Sequence, residues 1–396
     1  MSAAGPAGGR LSLAAGVSAL FAAFFFVAGV SLAYLPVWLD WTGLGPREIA
    51  VVTAVPLFVR VVVTPLIAAA ADRAGDHRRF LIGLSWIVAA ALGALAQARG
   101  FWPILAAMVV FAIAWTSIMP LTETVAMGGV RAAGLDYGRM RLWGSLSFIA
   151  ASFGGGWAVE RLGPAAVMWL LIAGGGLMAA AAHGLGRPAP RRGPETSATR
   201  RLDLAGSWAL LLSPRFLLLL LASGAVQSAH AVLYTFGTLH WRSQGLSAEW
   251  CGALWAIGVA VEVALFAVSG RAVARIGAAP LVALGAGAGI VRWGAMGFDP
   301  PLALLAALQV LHALTFAATH LGAVHLVARS VPEASAGTAQ ALYASMVGGL
   351  GMGAAVLVAG PLYERYGGGA YWAMALLAAV GLAAALALAR DRPRPA

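Results

Sequence analysis

The sequence predicts an all-α integral membrane protein, with twelve transmembrane helices in two pseudo-symmetric six-helix bundles. Three observations lead there. Hydrophobic residues make up 61% of the 396 residues against 10% charged, with a mean hydropathy of +0.85. So little charge cannot cover a globular surface in water. Apolar runs of about 20 residues, the length that crosses a hydrocarbon core, recur along the whole chain. The second half also echoes the first, and a porin-like barrel would show short alternating segments instead.

Charges, prolines and glycine clusters divide the chain into spans near 11–36, 48–70, 80–98, 102–129, 142–160, 164–184, 213–239, 248–269, 279–297, 302–328, 337–360 and 370–389. The first is too long for a signal-peptide core and lacks a cleavage site, so it reads as a retained helix. Span two is closed by the charged run Asp72–Arg79, and span four by Arg131. Between spans six and seven lies the longest polar stretch, "GRPAPRRGPETSATRRLD" (186–203). The expected organisation is a first bundle over 1–185, a cytoplasmic linker over 186–210 and a second bundle over 211–396.

The net charge is +11, and all 26 basic residues are arginines. With both termini inside, the cytoplasmic segments hold 19 of them (Arg10, Arg73, Arg78, Arg79, Arg131, Arg139, Arg141, the five from Arg187 to Arg201, Arg215, Arg271, Arg275, Arg329, Arg390, Arg392 and Arg394). The outer loops hold five: Arg47, Arg99, Arg161, Arg242 and Arg365. This positive-inside bias places both termini in the cytoplasm of a multi-pass protein of the bacterial inner membrane. It accounts for the basic charge without a nucleic-acid partner. The single cysteine, Cys251, excludes an intrachain disulfide and a cysteine-based metal motif.

The halves repeat in detail. "WAVERLGPAAVMWLL" (157–171) parallels "PLYERYGGGAYWAMALL" (361–377), with Glu160-Arg161 and Glu364-Arg365 offset by 204 positions. Arg73 in "ADRAG" and Arg275 in "VARIG" are offset by 202. Two six-helix halves in parallel repeat are how alternating-access transporters enclose a midplane site.

An ionisable group at bilayer depth costs about 2.5–3.5 kcal/mol on insertion scales, so each needs a reason. Span two holds Arg60, span four Glu123, span eight Glu262 and span nine Arg292. Span seven carries Gln227, His230 and Tyr234 at i, i+3 and i+7, a polar stripe on an apolar helix. Span ten, "LHALTFAATHLGAVHL" (311–326), holds three of the seven histidines: His312, His320 and His325. At 100° per residue His320 lies about 80° from His312, and His325 about 140° further round. Their spacing does not match the i,i+4 pairing of a helical metal site, so no metal is expected. His312 and His320 can line one cavity, while His325 packs or caps near the cytoplasmic end. Gly-rich runs such as "GGLGMG" (348–353) read as close helix approach. Trp38, Trp41 and Trp241 read as interfacial anchors.

"AADRAGDHRRFL" after span two resembles the cytoplasmic loop signature of the major facilitator superfamily, with Ala68 in place of the usual first glycine. The resemblance makes Asp72, Arg73 and Arg78 a conformational latch, although the second-half loop "GRAVARIGA" lacks the acid. More narrowly, six stretches resemble the phenylpropionate permease family, distantly like lactose and nucleoside proton symporters. These are "FVRVVVTPLIAAAADR" (58–73), "MPLTETVA" (119–126), "YGRMRLWGSLSFI" (137–149), "QSAHAVLYTFGTLHW" (227–241), the span-ten stretch, and "AQALYASMVGGLGMGAAVLVAGPLYERYG" (339–367).

Likeness to the lactose permease implies that Glu123 and Arg141 hold substrate, with Phe148 where that permease has a stacking tryptophan. Glu262, Arg292 and His312 match its ionisable residues in spans eight to ten. Three residues beyond His312, where that permease keeps the glutamate that drives coupling, this chain has Thr315. A threonine cannot titrate, so another group must carry any proton. Glu123, Glu262 and His312 are the candidates; histidine has an unperturbed pKa of about 6.5.

The expected function is alternating-access transport, coupled to protons, of a small organic solute such as phenylpropionate. A sugar or nucleoside symporter and an uncoupled facilitator or exporter remain alternatives. Expected substrate contacts are Arg60, Glu123, Arg141, Phe148, Gln227, His230, Tyr234, Glu262, Arg292, His312 and His320. A membrane enzyme would gather a catalytic His–acid constellation near one face, whereas these acids sit mid-span in both halves. No cofactor is expected, the partners are substrate, proton and lipid, and the working unit is a monomer.

Overall fold

The computed structural model describes residues 6–185, 204–331 and 335–390, and no β-strand occurs among them. Of the expected linker, 186–210, the part 186–203 with its five arginines lies outside the described residues, as do Arg392 and Arg394.

The chain divides into two compact units. Unit 1 is Met1–Ala189 with Gly237–Ala256, and unit 2 is Pro190–Phe236 with Ile257–Ala396. Unit 1 carries α1 (Pro6–Trp41), α2 (Pro46–Ala74), α3 (His77–Gln97), α4 (Phe101–Ala133), α5 (Tyr137–Leu162) and α6 (Ala166–Gly184). The chain continues through α7 (Leu204–Leu211), α8 (Pro214–Ser228), α9 (Ala231–Ser243) and α10 (Ala248–Ala267). Unit 2 adds α11 (Ser269–Ile276), α12 (Ala278–Met296), α13 (Leu302–Val310), α14 (Thr319–Arg329), α15 (Ala336–Tyr343), α16 (Met352–Tyr366) and α17 (Ala370–Arg390).

Ten helical segments among the described residues are long and apolar enough to cross a membrane. One of them, Ala336–Arg390, has 55 residues, far more than one crossing needs at about 1.5 Å per residue. Gly367–Gly369, between α16 and α17, divides it. Helix α5 has 26 residues, enough to cross, but is not one of the ten. Its polar start "YGRMR" dilutes its hydropathy. Dividing the long segment and adding α5 gives the twelve spans read from the sequence.

Helix ends follow local chemistry. Pro46 opens α2, where the Glu48 carboxylate accepts from Gly45 N–H at 3.0 Å. Helix α2 ends at Gly75, whose φ of 66° suits a residue without a side chain. Asp76 and Asp136 cap α3 and α5 by accepting from the backbone N–H groups of Arg79 and Arg139.

In unit 1, α1 packs on α5 and α6, and α4 on α2 and α3. The Tyr34 hydroxyl donates to Ser152 O at 2.6 Å, with Ala248 O at 3.2 Å. In unit 2, α12 packs on α14 and α17, and α17 on α8. One apolar cluster there joins Phe216, Leu219, Val327, Tyr343, Val347 and Leu388. Two of the expected interfacial tryptophans are not at a surface. Trp38 and Trp241 are buried, Trp241 beside Trp255 at 6.2 Å, and only Trp41 is exposed.

Three spans depart from the uniform helix assumed above. Span seven breaks at Ala229–His230, between α8 and α9. Span ten passes from α13 through a π-helical turn at Ala313–Ala318 into α14, and span eleven has a π-helical stretch at Ala344–Gly351. A π-turn places more residues in each turn than an α-helix, so downstream side chains rotate back relative to 100° per residue.

The π-turn is held by close packing. A Cβ built on Gly285 of α12 would overlap the Thr319 hydroxyl and lie 2.6 Å from Leu314 O, whereas one on Gly287 would meet nothing. Gly285→Ala is expected to cost about 1–3 kcal/mol of stability. Gly287→Ala is expected to be neutral or slightly stabilising. Thermal unfolding in detergent, followed by circular dichroism, distinguishes the two; equal melting temperatures would contradict this packing.

Candidate functional site

In unit 2 the site is built around Arg292. Helix α12 is rich in small residues, including Gly285 and Gly289, so its neighbours approach closely and enclose the side chain. Arg292 is 0% exposed. An enclosed guanidinium needs acceptors for its N–H groups, and here both Nη groups find them while Nε–H does not. Its Nη2 donates to Gln309 Oε1 at 2.6 Å, and its Nη1 donates to Thr315 Oγ1 at 3.0 Å and His312 Nδ1 at 3.1 Å. The face of Trp293 lies 4.6 Å away.

These partners fix where protons sit. A guanidinium only donates, so His312 Nδ1 must accept, and the neutral ring keeps its proton on Nε2. Glu262 Oε2 lies 3.3 Å from that nitrogen, within ion-pair distance. The Glu262 side chain is 20% exposed against 9% for His312, so this carboxylate is the more open end of the line. His230 is held the other way. Its Nδ1 meets two carbonyls, Gln227 O at 3.0 Å and Val226 O at 3.2 Å, and so donates. Its Nε2 then accepts from the Thr315 hydroxyl at 3.1 Å.

The π-turn aligns the rings of span ten. His312, Phe316 and His320 form a parallel column, with centroids 5.3 and 6.2 Å apart and interplanar angles of 11° and 8°. The expected 80° offset between His312 and His320 is thereby corrected. The stripe of span seven meets this column: Gln227 donates to Phe316 O at 3.3 Å, and His230 lies 5.5 Å from His312 and 5.2 Å from Tyr234. Seven expected site residues thus come together in unit 2: Gln227, His230, Tyr234, Glu262, Arg292, His312 and His320. His325 is half-buried and joins none of these contacts.

Unit 1 gathers a smaller group. The Tyr137 hydroxyl donates to Glu123 Oε1 at 3.3 Å, and both interact electrostatically with Arg141. The Arg141 guanidinium lies 3.9 Å over the Phe25 ring and 5.8 Å from Phe21. Phe148 is buried where α5 meets α1, its carbonyl 2.9 Å from a Cβ built on Gly29, so Phe25 supplies the aromatic platform at Arg141. Arg60 lies on an exposed face of α2.

Where α2 meets α3, Asp72 pairs with His77 at 2.9 Å. Arg78 donates to Leu185 O at 2.6 Å and His183 O at 2.9 Å, capping the end of α6. Arg73 is exposed.

Gln309, Tyr137, Phe25 and Phe316 escaped the sequence reading. Gln309 had a signal, as a polar residue one helical turn before His312 in an apolar span. The aromatic residues had none that set them apart from packing residues. Thr315 was visible only as a missing acid, yet its hydroxyl joins Arg292 to His230.

Thr315→Val keeps the side-chain shape but leaves two buried polar groups short of a partner. The expected cost is about 1–3 kcal/mol for each unsatisfied group. Thr315→Ser keeps the hydroxyl and is expected to retain most of the stability. Thermal unfolding of the purified variants checks this, and a valine variant as stable as wild type would contradict it.

Comparison with known proteins gives consistent results. The model of the MFS_1 like family matches residues 17–374. The "Probable 3-phenylpropionic acid transporter" of Escherichia coli (strain K12) is 32% identical over 364 residues, covering 90% of this chain and 92% of that protein. The maltose permease of Geobacillus stearothermophilus is 28% identical over 372 residues, covering 92% of each. A crystal structure of the nucleoside transporter NupG superimposes with a TM-score of 0.81 at 20% identity, covering 96% of this chain and 98% of that one. The chain belongs to the MFS_1 like family and is a multi-pass membrane transporter with the major facilitator fold.

Proposed function

We propose that this transporter moves a small aromatic acid, of the phenylpropionate type, across the bacterial inner membrane by proton-coupled alternating access. The observation that carries the reading is the line Arg292–His312–Glu262, an enclosed positive charge linked through one histidine to a partly open carboxylate. Such a line can exchange a proton with its surroundings and sense an anion. The similarity to the probable 3-phenylpropionic acid transporter supports the substrate class.

In this reading Arg60, Arg141 and Arg292 supply the positive charge that selects a carboxylate. Arg141 offers its donor fork while its face rests on Phe25. Glu123 and Glu262 balance that charge, and the proton is carried by Glu123, Glu262 or His312. Gln227, His230, Tyr234 and His320 orient the substrate, with Phe148 supporting α5. The working unit is a monomer with halves 1–185 and 211–396, both termini in the cytoplasm, and Asp72, Arg73 and Arg78 as the latch between states. A second reading, a sugar or nucleoside symporter, is favoured by the similarity to a maltose permease; the guanidinium groups would then bind hydroxyls.

Uptake of labelled 3-phenylpropionate into proteoliposomes, with and without an inward proton gradient, tests the proposal. Uptake accelerated by the gradient is expected. No uptake under either condition would remove the substrate class, and gradient-independent uptake would remove proton coupling.

A further inference from the structure

Charge balance in unit 2 points to a specific coupling stoichiometry. Arg292 is fully enclosed, so its charge must be balanced from within its own surroundings. Gln309 and Thr315 offer it only neutral acceptors. The third acceptor, His312 Nδ1, is the near end of a ring whose far nitrogen lies 3.3 Å from Glu262 Oε2. His230 adds no charge, since its Nδ1 donates to two carbonyls and its Nε2 accepts from Thr315, which leaves the ring neutral. Tyr234 on α9 and His320 on α14 also lie within electrostatic range of Glu262. In this line, then, Arg292 contributes +1, the neutral His312 nothing and Glu262 −1, so the sum is zero.

We propose that the His312 Nε2–H is the point at which the Glu262 carboxylate and the carboxylate of an anionic substrate replace one another, so that one proton enters with each monocarboxylate and no net charge is carried. The inference rests on the transport reading above. In the exchange Glu262 takes up one proton, forming an O–H bond and losing its charge. The substrate carboxylate then accepts the Nε2–H that Glu262 has released. The line still sums to zero, now with Arg292 at +1 and the substrate at −1. On release, the proton leaves Glu262 and its carboxylate returns to Nε2–H.

Arg292 is a positioning residue in this scheme. It is enclosed and acts through His312, holding Nδ1 as an acceptor so that Nε2 must donate. Thr315 makes the arrangement necessary. A carboxylate in its place would sit beside Arg292 and neutralise it directly, whereas a hydroxyl leaves the counter-charge to the far side of the histidine. A membrane potential does no work on a step that carries no net charge, while a proton gradient still does.

The test uses the full-length protein in proteoliposomes, with labelled 3-phenylpropionate and with proton gradient and membrane potential imposed separately. A tenfold inward proton gradient is expected to drive the label toward a ratio of about ten, and a potential alone to leave it unchanged. Glu262→Gln mimics the protonated acid, so it is expected to lose gradient-driven accumulation. Glu262→Asp is expected to restore gradient-driven accumulation. Infrared titration of the substrate-free protein should show a carboxylic acid C=O stretch that Glu262→Gln lacks and Glu262→Asp retains.

Accumulation driven by potential alone in wild type would overturn the stoichiometry. Gradient-driven accumulation by Glu262→Gln, or a carboxylic acid band unchanged in that variant, would overturn the role of Glu262. If phenylpropionate never enters, the substrate reading fails by itself, and the infrared titration still decides the proton site.

Discussion

Enclosing one guanidinium organises the interior of unit 2. Arg292 is wholly buried, and the spans around it supply acceptors to both of its Nη groups while Nε–H is left without one. Span ten contributes Gln309, His312 and Thr315 within seven residues. The far nitrogen of the histidine lies 3.3 Å from Glu262 on α10. A carboxylate directly against Arg292 would have closed the network in one step. Here the counter-charge sits one ring away, where the site is more open.

The departures from regular helix serve this arrangement. The break at Ala229–His230 leaves His230 Nδ1 on the carbonyls of Val226 and Gln227, which directs Nε2 to Thr315. The π-turn at Ala313–Ala318 stacks His312, Phe316 and His320, and Gln227 donates to Phe316 O across the two spans. Its place is made by Gly285, where any side chain would collide with Thr319. Local irregularity at the depth where chemistry is needed is a common property of π-turns. Unit 1 shows a simpler arrangement, a carboxylate and a guanidinium joined by Tyr137, with the cation laid on Phe25.

Much of this was legible in the sequence, because hydropathy and rare charges report directly on membrane proteins. Arg292, Glu262, His312, His230 and Gln227 stand out against apolar spans, and the structure brings all five together. Periodicity was less informative. It put His312 and His320 on one cavity but about 80° apart, because it assumes a uniform helix, and nothing in "LTFAAT" announces a π-turn. Composition also misplaced Trp38 and Trp241, since an amphipathic ring near a span end looks the same whether it faces lipid or a neighbouring helix. Phe25 could not be told from Phe148 because cation–aromatic contact is decided by three-dimensional approach. Proton positions were invisible for the same reason: a tautomer is set by its partners, and the Arg292 that sets His312 lies 20 residues away along the chain.

The central claim is that His312 is a neutral imidazole carrying its proton on Nε2, with Nδ1 held by Arg292. Nitrogen-15 NMR of histidine-labelled full-length protein near neutral pH, with His312 assigned by comparison with His312→Asn, measures this directly. The account predicts a protonated Nε2 and an unprotonated, hydrogen-bonded Nδ1. A proton on Nδ1, or an imidazolium with both nitrogens protonated, would contradict it.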